Sequence, residues 1–316
     1  MARVPTMTTL AKAVHDYVAL RRALGFKMVE VSHCLDDFVR FARQERASRV
    51  TVDLAVRWAK RPAAVQPARW ATRLRVVRQF AEYLRTIDPS TEIPPRGLLP
   101  GQYRRKPPYL YADAEIQRLL PAAWTMRSPT GLRAWTYATL LGLLTVTGMR
   151  ISEALGLDRR DVDLRDGVLA VRRTKCRKAR LVPVHETTRV ALFRYGRVRD
   201  RVHPRRKTEA FLVSEAGLRL TQCSAREIFV RLSRAIGIRT RLGRFGHGPR
   251  LHDLRHRLAV NTLVRWYRSG VDVERRLPVL STYLGHTKVT DTYWYLQAIP
   301  ELLRLALVRV ERAGAR

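Results

Sequence analysis

The chain has 316 residues, enough for two domains of ordinary size, each with its own core. Lys plus Arg outnumber Asp plus Glu by 61 to 27, a formal charge of +34 with a pI near 11.5, and eight of the basic residues are Lys. So arginine-rich a surface calls for a polyanion, nucleic acid first, and the three cysteines (Cys34, Cys176, Cys223), none in C-x-x-C spacing, argue for a reducing compartment and against a zinc finger.

The opening "MARVPTMTTLAK" lacks the apolar run of a signal peptide. Helical periodicity then recurs in "TLAKAVHDYVALRRALG", "SHCLDDFVRFARQE" and "ARWATRLRVVRQFAEYLR". In the last of these Trp70, Leu74, Val77, Ala81 and Leu84 form one stripe, and Arg69, Arg73 and Arg78 lie off it. Such a helix has a packed side and a cationic side, so residues 1–90 are expected to form a small helical bundle with these arginines facing a nucleic-acid partner. Residues 86–109 hold six prolines, two glycines and a basic run containing Arg104 and Arg105. That composition predicts an extended linker over 91–107, with the two arginines as further candidate contacts to the polyanion.

Residues 108–316 are expected to be a second domain. "YADAEIQRLLPAA" and residues 132–147 read as helices, the second ending at Thr147-Gly148. The most hydrophobic stretch, 134–149, is bounded by Arg133 and Arg150, too short to span a bilayer and expected to be buried; no membrane association is expected. "MRISEALGL" begins another helix, after which the period changes: "GVLAVRRT" and "RLVPV" are short β-rich runs around "KCRKA", the pattern of a hairpin. From about residue 185 helical patterns return, broken at "RLGRFGHGPR". The expected fold class is therefore mainly α with a small antiparallel sheet in the second domain.

Four segments carry chemistry. Arg150 lies where an apolar helix ends, so it must be paired or face a ligand, and Glu153, one turn on, can orient it. In "LHDLRH", His252 and Arg255 share a helix face and can address one phosphate, while His256 falls on the packed side. His252 and His256 also have the spacing of the zinc motif H-E-x-x-H, with Asp253 in the Glu position and His286 as a third candidate ligand; this is the metal alternative. In "YLGHTKVTDTYWYL", His286 and Tyr295 are nine residues apart and share a site only if the chain turns between them, which Gly285 as a helix end and Thr290 or Asp291 as a cap allow. Tyr293 and Tyr295 differ by about 200° around the following helix, so only one can face that pocket.

With those motifs in place, the chain resembles the tyrosine recombinase (phage integrase) superfamily over about residues 108–300, and more loosely over 1–90 as that family's core-binding domain. The resemblance implies a two-domain clamp on double-stranded DNA that cleaves and rejoins strands through a covalent 3′-phosphotyrosyl intermediate. It assigns Arg150, Lys175 (Lys178 as second choice), His252, Arg255, His286 and Tyr295 as catalytic, with Glu153 in support. Neither metal nor other cofactor is then required: a phenol with an ordinary pKa of about 10 needs cationic neighbours or a base. Arg150 and Arg255 would hold the nonbridging oxygens with His286, His252 would accept the phenol proton, and Lys175 would protonate the leaving oxygen. Other functions with this fold are a DNA-binding regulator without activity and a relaxing topoisomerase of the type IB kind. About thirty residues separate Arg255 from His286, more than the family pattern, and "LSTYLGHTKVTDTYWYL" looks closest to members carried by transposons. The resemblance further implies a homo-oligomer on DNA, a tetramer in which the helix in "QAIPELLRLALVRVER" docks on a neighbouring protomer, with related recombinases or accessory proteins as further partners and the cytoplasmic nucleoid as its place. The alternative is that this helix packs within its own chain.

Overall fold

The computed structural model describes residues 7–102, 108–172, 179–239 and 248–314. Lys175, Lys178, Arg104 and Arg105 lie outside the described residues. The chain forms two compact units, Met1–Lys106 and Pro107–Arg316.

The first unit is built on four helices: α1 (Met7–Ala23), α2 (Val29–Gln44), α3 (Val52–Lys60) and α4 (Pro67–Leu84). Local chemistry sets their starts, since Thr51 caps α3 by accepting the Leu54 N–H at 3.2 Å and Pro67 occupies the first turn of α4. Leu35, Phe38, Val39 and Ala42 line one side of α2 at helical spacing and bury against Trp58, Leu74, Val77 and Phe80, with Phe38 edge-on to Trp58 at 5.2 Å between ring centroids.

Two of the arginines expected to face a polyanion are committed inside this unit. Arg73 lies over the Trp58 ring at 3.8 Å and donates to Asp37 Oδ2 (3.0 Å) and the Trp58 carbonyl (3.3 Å). Burying a guanidinium is tolerable because a carboxylate and a ring face receive it, so Arg73 is part of the packing. Arg78 donates to the carbonyls of Pro94 (2.6 Å) and Pro95 (2.8 Å). Arg69 is exposed. The proline-rich segment accordingly begins as packed chain: Ile93 and Leu99 join the first core, and Glu92 accepts the Val52 N–H at 2.8 Å.

The second unit is organised around α6 (Leu132–Thr147), apolar on every side and buried at Leu140, Leu141, Leu143 and Leu144. Around it pack α5 (Asp113–Trp124), α8 (Glu186–Val202) and α10 (Leu251–Arg268), and α9 (Gln222–Ala235) packs on α5 and on the short α7 (Ile151–Gly156). The sheet is antiparallel in the order β1 (Val162–Asp163), β2 (Val168–Val171), β3 (Arg180–Pro183), with Leu169 opposite both Val162 and Val182. Leu169, Val171 and Val182 point to the core while Leu181 faces solvent, the two-residue alternation of a one-sided sheet. The residues in excess between Arg255 and His286 are ordered as the end of α10, a turn, and α11 (Val273–Leu284), capped by the Asp272 side chain on the Arg275 N–H.

Last come α12 (Thr290–Ala298) and α13 (Pro300–Gly314), which with α11 and the second half of α10 form a separate cluster around Leu263, Leu277, Leu284, Tyr295 and Leu302. Helix α13 thus packs on its own chain through Leu302, yet Leu303, Leu307 and Val310 are exposed. Mainly helical with one small antiparallel sheet, the fold class is the one expected from the sequence. Among the described residues no helix is long and apolar enough to cross a membrane, and residues 134–147 lie inside the α6 core.

The packing role of Arg73 gives a direct expectation. Arg73→Ala should lower the stability of the first unit by about 1–3 kcal/mol, because it removes the guanidinium from the Trp58 ring face and leaves Asp37 Oδ2 with the Trp58 indole N–H (3.0 Å) as its buried donor, whereas Arg69→Ala should leave thermal melting within experimental error of the native chain.

Candidate active site

The site begins with how two helices end. Gly148 closes α6 with φ +59°, a conformation glycine adopts without penalty, and a Cβ there would stand 2.7 Å from Leu258 Cδ2. The turn delivers Arg150 to the first position before α7, in extended conformation (φ −67°, ψ 144°). Gly285 ends α11 with φ +68°, and the His286 N–H reaches back to the Ser281 carbonyl at 2.9 Å, so the chain turns sharply and presents His286. The cap of α12 falls at Val289, one residue before Thr290, with no side-chain cap bond.

Helix α11 therefore offers its last carbonyls, which have no helical partner, to three guanidiniums. Arg180 Nε donates to the Tyr283 carbonyl (2.9 Å), Arg255 Nη2 to the Leu284 carbonyl (2.5 Å) and Arg150 Nη2 to the Gly285 carbonyl (3.0 Å). Arg255, 2 % exposed, also donates from Nη1 to the Gly148 carbonyl at 2.9 Å. Two distant helix ends are thus fastened through one side chain.

Glu153 binds this cationic group together. Its carboxylate, 3 % exposed, accepts Arg150 Nη1 (2.9 Å) and the Arg150 N–H (3.0 Å), and Arg180 Nη1 (3.1 Å) and Nη2 (2.7 Å). Burial alone would raise its pKa; the bonds from Arg180 and Arg150 overcome this and hold it at about 2. For Arg255, burial and then the neighbouring Arg150 charge lower the pKa to about 10, which leaves it charged at neutral pH.

Two imidazoles flank the tyrosine, and a third packs against one of them. Tyr295 is 2 % exposed and Tyr293 42 %, as a 200° separation on α12 requires. The Tyr295 ring is nearly parallel to that of His286, with centroids 6.5 Å apart, and its hydroxyl is 2.9 Å from His256 Nδ1. His286 Nδ1 meets the buried Thr292 hydroxyl at 2.8 Å. His252 packs edge-on against His256 at 4.7 Å between centroids and opens to solvent. Burial first, then nearby cations, hold His256 at about 3 and His286 at about 4, so both are neutral at pH 7; His252, although it reaches solvent, is lowered by desolvation of its ring and then by the Arg255 charge.

Arg150, Glu153, Arg255, His286 and Tyr295 are brought together as the motifs imply, with His252 at the edge. Two neighbours are not assigned to this site by the sequence, His256 being weighed there only as a ligand in the metal alternative. Arg180 is the first residue of β3, and only tertiary folding places it beside Glu153; His256 was assigned to the packed side, and that side turns out to hold the tyrosine. As for the metal alternative, Asp253 is paired with Arg250 (Oδ1 to Nη2, 3.0 Å), and among the described residues no group of three or more His, Cys, Asp or Glu side chains is arranged to hold a metal ion.

Residues 110–301 match the phage integrase family. The chain belongs to that family. It is 47 % identical over 310 residues to the putative integrase/recombinase y4rB of Sinorhizobium fredii, covering 97 % of this chain and 98 % of the relative. It is 33 % identical over 247 residues to the tyrosine recombinase XerD of Mycobacterium tuberculosis, covering 77 % of this chain and 72 % of that one. In fold it is similar to the Tn1549 transposon integrase in complex with transposon right end DNA, with a TM-score of 0.64, 16 % identity, and coverage of 96 % and 99 % of the two chains.

Two outcomes follow from the buried charges of this family member. Glu153→Ala leaves Arg150 and Arg180 uncompensated and should destabilise the second unit by about 3–5 kcal/mol in denaturant unfolding, with Glu153→Gln less damaging. Acid should unfold the same unit in two windows. His256 and His286 have folded pKa values below the unfolded 6.5, so the unfolded chain binds more protons and stability falls as pH drops from about 6.5 towards 4. Glu153, depressed from 4.5, contributes stability above that value and loses it as pH falls towards 2. Melting temperatures should stay level from pH 7.5 to about 6.5 and then decline steadily to pH 4; a flat profile below pH 6.5 would contradict the neutral buried imidazoles.

Proposed function

We propose that the chain is a site-specific recombinase of the integrase or transposase type, acting on double-stranded DNA through a covalent 3′-phosphotyrosyl intermediate. The observation that carries this reading is the convergence, on the end of α11, of two guanidiniums fixed by backbone carbonyls and Glu153 with the one tyrosine of the α12 pair that faces inward. Cutting a phosphodiester in this way needs a nucleophile, charge neutralisation at phosphorus, and a proton for the leaving 5′ oxygen.

In the proposed reaction Arg150 and Arg255 donate to the nonbridging oxygens of the scissile phosphate, with His286 adding a third donor. Their positions are set before DNA arrives, so little reorganisation is needed as charge builds in the transition state, an effect worth several kcal/mol. The Tyr295 oxygen bonds to phosphorus and the bond to the 5′ oxygen breaks, with Lys175 protonating that oxygen. The 5′ hydroxyl of another strand then reverses the sequence and releases Tyr295. The phosphotyrosyl link keeps the energy of the cleaved bond, so rejoining needs no nucleotide cofactor. His252, at the open edge of the site, is the proton acceptor that the family pattern implies, although the hydroxyl bonds to His256.

Residues 1–90 act in this reading as the core-binding domain and 108–316 as the catalytic domain, with Arg69, Arg104 and Arg105 as DNA contacts. Assembly as a tetramer on DNA is supported by the apolar residues Leu303, Leu307 and Val310 that α13 leaves exposed. A mobile element is the favoured setting, supported by the likeness to a transposon integrase. The regulator alternative is disfavoured because the described catalytic positions are all filled and grouped.

Nicked genomic DNA from the encoding organism, incubated with the protein and denatured, should yield a protein–DNA adduct. Tyr295→Phe should reduce that adduct by at least about 10³-fold with DNA binding retained, and Tyr293→Phe should not. An adduct persisting in Tyr295→Phe would redirect the assignment to Tyr293.

A further inference from the structure

The family pattern gives the task of accepting the nucleophile's proton to the first histidine of "LHDLRH". The structure assigns it differently. We propose that His256, through Nδ1, is the general base that accepts the Tyr295 proton, an inference that rests on Tyr295 being the nucleophile.

The first ground is contact. His256 Nδ1 is 2.9 Å from the Tyr295 hydroxyl, within the range over which a proton moves directly between heavy atoms. His252, one turn earlier on α10, touches His256 edge-on, with ring centroids 4.7 Å apart. The second ground is orientation. The His256 ring packs against Trp294 at 5.7 Å and against Tyr295 at 5.5 Å between centroids, so the residue next to the nucleophile helps to fix the base that serves it. A nucleophile, a base in hydrogen-bond reach and a third group holding the base form the pattern of activated hydroxyls in general.

The third ground is the state of the ring. A general base must be unprotonated before the reaction, and burial keeps His256 neutral at pH 7, with the Arg250 and Arg255 guanidiniums opposing a further positive charge. A phosphate entering between Arg150 and Arg255 brings negative charge into the same cluster and offsets those cations, so the imidazole grows more basic as its proton arrives. The step balances: the Tyr295 O–H electrons become the new bond to phosphorus, the proton passes to Nδ1, and the bond from phosphorus to the 5′ oxygen breaks with a proton supplied at that oxygen. In rejoining, His256 returns the proton to the departing phenol.

The test uses the full-length protein and nicked genomic DNA of the encoding organism, following the denaturant-stable adduct in a single turnover. His256→Ala removes the base; His256→Asn places an amide oxygen near the Nδ1 position and keeps a hydrogen-bond acceptor that cannot take the proton. Both should slow adduct formation by roughly 10²-fold or more with DNA binding and melting temperature near native, and added imidazole should restore His256→Ala in a concentration-dependent way. If His256→Asn cleaves within about threefold of native, or His256→Ala cleaves as fast as native, the proposal is overturned. Slow variants that imidazole does not restore would make the residue structural and overturn it as well. An adduct formed by Tyr295→Phe would defeat the reading of the site itself, whereas an inert Tyr295→Phe beside an unimpaired His256→Asn would defeat this inference alone.

Discussion

One buried carboxylate decides whether the site exists. Three arginines would repel one another around the end of α11, and the backbone carbonyls they reach carry only partial charge. Glu153 supplies the full negative charge that lets Arg150 and Arg180 stand side by side, and it does so from the first turn of α7, where it also accepts the Arg150 backbone N–H. The carboxylate therefore sets the backbone and the side chain of Arg150 together. Desolvating an ion is expensive, and the arrangement is tolerable because each Glu153 oxygen accepts two hydrogen bonds.

From that constraint the rest of the site is geometry. Arg255 fastens α10 to the ends of α6 and α11, Gly285 turns the chain so that His286 emerges beside it, and α12 brings Tyr295 to the cluster. Residues 148, 153, 180, 255, 285 and 295 come from separate elements; the bonds that gather the first five run through backbone carbonyls or Glu153, and Tyr295 is tied in through the His256 ring. Binding free energy in such a site goes into charge already in position, the condition for lowering a barrier rather than merely holding a substrate.

Much of this was legible in the sequence because it is local. The Thr147-Gly148 helix end, the turn at Gly285, the change from helical to two-residue period before Arg180, and the opposite facing of Tyr293 and Tyr295 each follow from a few consecutive residues. What was not legible is long-range pairing. Arg73 and Arg78 look like a cationic face until Asp37, the Trp58 ring and two proline carbonyls come to meet them. Arg180 looks like a strand flank, and His256 looks like an ordinary core residue, because periodicity tells which side is packed but not what it packs against. The proline-rich segment misled for the same reason: its composition describes an extended chain, and Ile93 and Leu99 bury it against the first core.

The central claim is that an inward-facing phenol in α12 attacks phosphorus held by preset guanidiniums. Mass spectrometry of the adduct formed on nicked DNA, after nuclease and protease digestion, tests it most directly. The account predicts a nucleotide joined through its 3′ phosphate to the peptide bearing Tyr295. A nucleotide on any other residue, or one joined through a 5′ phosphate, would contradict it.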